Sequence, residues 1–196
     1  MTEFNGELDA SVIESRSSTT TKLGTRTLYY QDAFTNFCNG TTTTAKNDTI
    51  TSIRFNKSYT AVNDNAFRNC TALTAVDFAS SKTSSIGKYA FSGCSHLGTV
   101  NMANASTLTS IGSYAFSGCS QLTTVNFSTS TSKIDTYAFQ SCTSLTKVLI
   151  PIGVNTINGY AFKSCTGLKE FYIPYNFTSI ASTIFDGNAK FAANGN

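Results

Sequence analysis

The sequence predicts a repeat solenoid, in which stacked copies of one short unit form a parallel β-sheet on one side and a helical turn on the other. The motif Ala-Phe-x-x-Cys recurs five times, and the steps from one cysteine to the next are 24, 25, 23 and 23 residues. A fixed period of about 20–50 residues is typical of repeat architectures. One unit is too small to bury its apolar face alone, so neighbouring copies must cover it.

The half-repeat after each cysteine reads Leu-x-x-Val-x-Phe, with the last two apolar positions two residues apart. This spacing sends alternate side chains of a strand to one face, so it predicts a short strand whose apolar residues point inward. Such strands stack into a parallel sheet with neighbours about 4.8 Å apart. The inward valine position is held by Val76, Val100, Val125, Val148 and Phe171.

The half-repeat before each cysteine reads Ile-Gly-x-Tyr-Ala-Phe-x-x-Cys. Phenylalanine and cysteine are one helical turn apart, so both are expected to face the core, with the tyrosine at the solvent edge. Cysteines spaced by 23–25 residues fit neither zinc-ligand pairs nor a disulfide framework, which favours a ladder of buried thiols. The predicted structural ladder consists of Phe67, Phe91, Phe116, Phe139, Phe162, Cys70, Cys94, Cys119, Cys142 and Cys165.

Composition excludes several classes of function. Charged residues make up 13% of the chain and the net charge is only +3, so no basic stripe for nucleic acid is predicted. No apolar run approaches the roughly 18 residues that a membrane span needs, so we expect no membrane insertion. The single histidine, His96, occupies a turn position that varies between copies, and no Ser-His-Asp arrangement is predicted around it. We therefore predict a protein that is not an enzyme and has no catalytic residues, metal ligands or cofactors.

The repeats divide the chain into three parts. Residues 1–27 are predicted as an N-terminal cap, residues 28–185 as about six repeats of 23–25 residues, and residues 186–196 as a C-terminal cap or tail. A threonine-rich insertion at residues 39–48 interrupts the first copy and is either a second candidate for a binding loop or a disordered decoration, and both interpretations stay open. The sequence as it stands has no signal peptide or lipidation motif, which on its own favours an intracellular location.

The sequence pattern of each copy resembles the BspA-like class of leucine-rich repeats. It reads Leu-Thr-x-Val-x-(Phe/Ile), followed by x-Ile-Gly-x-Tyr-Ala-Phe-x-x-Cys. The resemblance covers about residues 28–185, nearly the whole chain. It implies a leucine-rich-repeat, right-handed superhelix with a parallel concave β-sheet and short helical turns on the other side. It also implies a surface used for adhesion or protein binding, of the surface-antigen type and often displayed on a cell.

Function is predicted to lie on the outward strand positions, between the inward apolar residues. Aromatic residues and arginine dominate binding hot spots, which favours the end of the array where larger side chains face outward. The candidate binding surface consists of Arg54, Asp77, Asn101, Asn126, Lys147, Leu149, Glu170, Tyr172 and Tyr175. The expected partner is a protein or glycoprotein of unknown identity. Two alternatives stay open: the surface is merely solvated sheet, or the chain is an intracellular scaffold that also self-associates through its repeat edges.

Overall fold

The structure is a computed structural model of the 196-residue chain. It describes residues 51–55, 60–78, 81–175, 177 and 183–185, together with the backbone of three short segments at 7–9, 21–23 and 26–28. The described part is a solenoid of about five turns built from parallel strands, which confirms the predicted repeat architecture.

The strands of the described residues are two or three residues long. In chain order they are β1 (Glu7–Asp9), β2 (Thr21–Leu23), β3 (Arg26–Leu28), β4 (Ser52–Arg54), β5 (Ala61–Val62), β6 (Ala75–Asp77), β7 (Ser85–Ile86), β8 (Thr99–Asn101), β9 (Ser110–Ile111), β10 (Thr124–Asn126), β11 (Lys133–Ile134), β12 (Lys147–Leu149), β13 (Thr156–Ile157) and β14 (Glu170–Tyr172). Each complete repeat contributes one strand of three residues and one of two, and strands of the same kind on neighbouring rungs lie side by side.

The first sheet carries the candidate binding surface. Its order is β1-β4-β6-β8-β10, and β12 and β14 continue the same face of the solenoid as a separate two-stranded parallel sheet. Pairing is in repeat register, so Ile53 lies beside Val76 and Val76 beside Val100. These inward residues are buried, as the spacing of two predicts. Strand β1 joins this sheet beside β4, whereas β2 and β3 form an antiparallel pair.

The second sheet replaces part of the expected helical turn. Strands β5, β7, β9, β11 and β13 stack in parallel, and the residues between each of them and the next cysteine form consecutive turns. No helix occurs within the described ranges, so the prediction of short helical turns is wrong. The physical reason is the backbone, because Tyr114 and Gly118 have φ of 58° and 77°, in the left-handed region that an α-helix cannot include.

Backbone hydrogen bonds between rungs compete with a helix in the same segment. The Phe91 N–H donates to Ala115 O at 2.7 Å, and the Gly93 N–H donates to Ser117 O at 2.8 Å. In a helix these donors would bond within their own turn. Because they bond to the following rung instead, the segment acts as part of the stacking interface.

The phenylalanine ladder forms the centre of the core. Phe67, Phe91, Phe116, Phe139 and Phe162 are all buried, and each successive pair of rings is stacked with centroids 5.2 Å apart. This arrangement confirms that the Ala-Phe-x-x-Cys phenylalanines face inward. The leucine and isoleucine columns pack around them as one continuous apolar cluster.

The cysteine ladder links each rung to the one before. The Cys119 thiol donates to Phe91 O at 3.3 Å, and the Cys94 thiol donates to Phe67 O at 3.1 Å. Cysteine is therefore a small apolar side chain that also satisfies a buried carbonyl. Burial raises the pKa of the Cys94 thiol from 9.0 to about 12. Cys94, Cys119, Cys142 and Cys165 are free, whereas Cys70 is disulfide-bonded and departs from the predicted ladder of thiols.

Serine and threonine hydroxyls make further links between rungs. The chain has 31 threonines and 25 serines. Ser84 Oγ donates to Thr60 O at 2.9 Å, Thr109 Oγ1 donates to Ser84 O at 3.1 Å, and Ser132 Oγ donates to Thr109 O at 3.0 Å. Partners 23–25 residues apart are equivalent positions of neighbouring rungs, so this part of the composition has a structural role in joining them.

The predicted domain boundaries are tested only in part. The backbone pairing of β1 with β4 places Glu7–Asp9 on the first sheet, inside the segment expected as a cap. The insertion at 39–48 and the tail at 186–196 lie outside the described residues. The division into cap, repeats and tail therefore stays a prediction.

Candidate functional site

The outward positions of the first sheet form two parallel lanes across the rungs. One lane aligns Arg54 with Asp77, Asp77 with Asn101 and Asn101 with Asn126. The pairing of β12 with β14 aligns Lys147 with Glu170 and Leu149 with Tyr172. The intervening residues of these strands point to the core. The predicted surface residues on the strands therefore lie on one outward face of the solenoid, spread over two parallel sheets.

Polar contacts dominate the first rungs of this surface. Arg54 Nε lies 3.6 Å from Asp77 Oδ2, and Asn101 Nδ2 donates to Asp77 Oδ1 at 3.1 Å. Asp77 is thus held by a cation on one side and an amide on the other. Because these side chains satisfy one another, this part of the surface presents little unpaired charge.

A compact network forms at the last described rungs. Lys147 Nζ lies 2.9 Å from Glu170 Oε2, and the Tyr172 hydroxyl donates to the same oxygen at 3.1 Å. Lys147 Nζ also lies 5.0 Å from the centre of the Tyr172 ring. The contact with Lys147 lowers the pKa of Glu170, and the contact with Glu170 raises the pKa of Lys147. Three side chains on two rungs are therefore held in one arrangement.

Large exposed apolar side chains are confined to the same end. Within the described residues they are Leu149 (56% exposed), Ile152 (54%), Tyr172 (53%), Ile173 (42%) and Tyr175 (94%). We call Leu149, Tyr172 and Tyr175, together with Lys147 and Glu170, the C-terminal patch. Sequence reasoning identified these five residues but missed Ile152 and Ile173. The signal for Ile152 was its place in a turn beside Pro151 and Gly153, where an apolar residue has no strand to bury it.

The described residues offer no cluster for metal chemistry. They contain no group of three or more His, Cys, Asp or Glu side chains placed to hold an ion. His96 is exposed, and its Nδ1 lies 2.7 Å from Thr71 O of the preceding rung. In that same part of the chain, no helix has the length and apolar character needed to cross a membrane.

Comparison with solved structures finds the same architecture in bacterial proteins. A leucine-rich repeat protein from Eubacterium ventriosum is 27% identical with a TM-score of 0.61, over 69% of this chain and 35% of that one. The T. pallidum leucine-rich repeat protein is 25% identical with a TM-score of 0.54, over 61% and 68%. The pneumococcal vaccine antigen PcpA is 27% identical with a TM-score of 0.56, over 62% and 30%.

The first of these structures is much longer than the matched region, since this chain covers only about a third of its length. A comparison with curated proteins finds no significant match. The family model described as the BspA type leucine rich repeat region matches six copies, over residues 33–105 and 60–192. Together with the stacked parallel strands, this match shows that the chain belongs to the BspA-type leucine-rich repeat family.

Proposed function

We propose that the chain is a non-enzymatic binding module that recognises a protein or glycoprotein through the C-terminal patch. The observation that carries this proposal is the confinement of the large exposed apolar side chains to the last two described rungs. Tyrosine is enriched among residues that dominate binding energy, and Tyr172 and Tyr175 both belong to the patch. Scattered single apolar residues need no explanation, whereas a cluster at one end of an array favours an interface.

The internal contacts of the patch support this role. The Lys147–Glu170 pair holds the Tyr172 hydroxyl, so the ring is positioned before a partner arrives. A surface whose side chains are already ordered loses less conformational entropy on binding. Leu149 lies beside Tyr172 on the neighbouring strand and extends the apolar area. We expect the partner to place an apolar group against these two residues.

Two observations favour a cell-surface location over the intracellular scaffold. Cys70 is disulfide-bonded, and disulfides form and persist mainly in oxidising compartments. One structural relative is a pneumococcal vaccine antigen. We therefore propose an adhesion or surface-antigen role. The scaffold is the second candidate, since the repeat edges of a solenoid offer a route to self-association.

The test is a binding assay on a panel of immobilised extracellular proteins and glycoproteins. The double variant Leu149→Ser/Tyr172→Ser should weaken the binding seen with the unaltered chain by roughly a thousandfold, because two hot spots of about 2 kcal/mol each are removed. The matched control is Asn101→Ser/Asn126→Ser, which changes the outward position that Leu149 and Tyr172 hold, on two earlier rungs. Equal binding by the double variant and the unaltered chain would contradict the assignment of the patch. Concentration-dependent self-association in sedimentation, without binding to the panel, would favour the scaffold.

A further inference from the structure

A column of stacked tyrosines lies on a different part of each rung from the C-terminal patch. We call Tyr89, Tyr114, Tyr137 and Tyr160 the tyrosine ladder. Their ring centroids are 4.7, 4.7 and 5.1 Å apart, and the rings are nearly parallel, with interplanar angles of 18°, 13° and 13°. All four residues are half-buried, as expected for the solvent edge. The ladder follows the second sheet, whereas the C-terminal patch lies on the face that β12 and β14 continue from the first.

The stacking determines which atoms of the ladder a ligand can reach. Each inner ring has both faces covered by its neighbours, so the ring edges and the hydroxyl groups are left for contact. Within the described ranges, none of the four hydroxyls has a hydrogen-bond partner. Partial desolvation and the neighbouring Tyr89 and Tyr137 raise the pKa of Tyr114, which keeps its phenol protonated as a donor. The ladder is thus a row of phenol donors at the spacing of the rungs.

Cations stand at both ends of the row. Arg68 Cζ and Lys88 Nζ lie 5.0 and 5.3 Å from the centre of the Tyr89 ring. At the other end, Lys163 Nζ lies 5.3 Å from the Tyr160 ring. None of these three cations forms an ion pair with another described residue. The carboxylate of Asp64 instead accepts the backbone N–H of Lys88 at 2.6 Å.

The side chains between the cations at the two ends are uncharged and polar. Ser92, Ser117 and Gln140 occupy the repeat position that Arg68 and Lys163 occupy at the two ends. This column therefore has no acidic side chain to repel an anion. The row of phenols offers hydrogen-bond donors along its length and positive charge at its ends, which is complementary to a ligand rich in oxygen acceptors and negative charge.

We propose that the tyrosine ladder binds a linear acidic polysaccharide, one sugar to each rung. An extended β-linked sugar chain repeats at close to the spacing of these rings, so successive sugar oxygens meet successive phenols. An extended peptide advances about 3.3 Å per residue, so its side chains fall out of phase with the rungs. Single-stranded nucleic acid is bound through bases stacked on exposed ring faces, and the inner faces of the ladder are covered.

The experiment measures binding of the full chain to immobilised hyaluronate and chondroitin sulfate, both β-linked, with dextran as the neutral polysaccharide and poly-glutamate as the acidic peptide. The four-site variant Tyr89→Phe, Tyr114→Phe, Tyr137→Phe and Tyr160→Phe removes the hydroxyls and keeps the stacked rings. Its affinity for the acidic polysaccharide should fall by about tenfold or more, because donors to charged acceptors are lost. Lys88→Gln/Lys163→Gln should also weaken binding, and raising the salt from about 0.05 M to about 0.5 M should reduce it further.

The matched control for charge is Lys82→Gln/Lys169→Gln, which removes the same charge from exposed lysines outside the ladder. It should bind within about twofold of the unaltered chain, since among the described residues the cations that contact the ladder rings are Arg68, Lys88 and Lys163. Unchanged melting temperatures would show that the four-site variant is folded. The proposal is overturned if that variant binds like the unaltered chain, if the control loses as much affinity as Lys88→Gln/Lys163→Gln, or if no acidic polysaccharide binds. Equal affinity for poly-glutamate would assign the ladder to acidic peptides instead and would also overturn it.

Discussion

Removing one ring from the middle of the phenylalanine ladder tests whether the rungs unfold as one unit. Phe116 is 0% exposed, and its ring is stacked at 5.2 Å on both Phe91 and Phe139. Replacing a fully buried phenylalanine by alanine costs about 3–5 kcal/mol, through lost transfer free energy and the cavity that is left. A folded domain has about 5–15 kcal/mol of net stability. Phe116→Ala is therefore expected to remove a large part of the free energy of unfolding.

The position of the cavity matters as much as its size. In a solenoid each rung contacts only its neighbours, so a defect at Phe116 weakens the connection between the two halves of the array. Phe162, which is 1% exposed, is the matched site near the end. It has one stacked phenylalanine, Phe139, and an edge contact with Phe171. It also meets Phe185 at 6.4 Å, so Phe162→Ala should cost about as much as Phe116→Ala, and only the place of the defect differs.

Urea denaturation followed by circular dichroism gives the free energies, and hydrogen–deuterium exchange locates the unfolding. For Phe116→Ala we expect exchange to rise on the rungs on both sides of residue 116. For Phe162→Ala the increase should be confined to the last rungs. A loss below about 1.5 kcal/mol for Phe116→Ala would refute the reasoning, because it would mean that the ring is not the packed centre of the core.

Three further predictions follow from contacts between neighbouring rungs. A Cβ on Gly112 would lie 2.8 Å from Ile86 O, whereas a Cβ on Gly98 would have no atom closer than 3.7 Å. Gly112→Ala should therefore lower the free energy of unfolding, measured in urea, by about 1–3 kcal/mol, and Gly98→Ala should lower it by less than about 0.5 kcal/mol. The folded-state pKa of Cys94 is raised from 9.0 to about 12, so its stabilising contribution is complete below pH 9.0 and is lost towards about 12. The melting temperature should therefore fall more steeply with pH over this range for the unaltered chain than for Cys94→Ala. Parallel plots of melting temperature against pH for the two proteins would contradict the burial of this thiol. Because Cys70 is disulfide-bonded, alkylation of the denatured chain should label four of its six cysteines before reduction and all six after it. The number of labels is measured from the intact mass. Six labels before reduction would exclude the disulfide.

The first sheet could be predicted from the sequence because its signal is redundant. The spacing of two between apolar positions recurs in every copy. If the strand of one rung shifted its register by one residue, Val100 would point outward while Val76 on the neighbouring rung still pointed inward. Register was therefore specified by the pattern itself. The outward positions follow from the same argument, which is why the sequence predicts both Lys147 and Glu170 on the candidate binding surface.

The turn half of the repeat could not be predicted in the same way. A spacing of three between phenylalanine and cysteine fits a helical turn, but it also fits a turn closed by a hydrogen bond between residues three apart, and here the second holds. One signal was available. The residue before each cysteine is Asn69, Gly93, Gly118, Ser141 or Ser164, a set rich in residues that accept positive φ, and all five have it. The tyrosine position gives a weaker signal, because only Asn65, its equivalent in the first of these copies, is a residue type that favours positive φ.

The two proposed surfaces differ in how their charges are satisfied, and this difference makes them separable by experiment. On the outward face of the strands, Arg54 contacts Asp77 and Lys147 contacts Glu170, so binding at the C-terminal patch depends mainly on apolar contact and should be little affected by salt. On the tyrosine ladder, Lys88 and Lys163 have no acidic partner among the described residues, so binding there should weaken as salt rises. The affinity of the same protein should therefore depend little on salt concentration for a protein ligand and steeply on it for an acidic polysaccharide. A steep dependence for both ligands would show that charge governs both surfaces, and the apolar patch would then not be the basis of recognition.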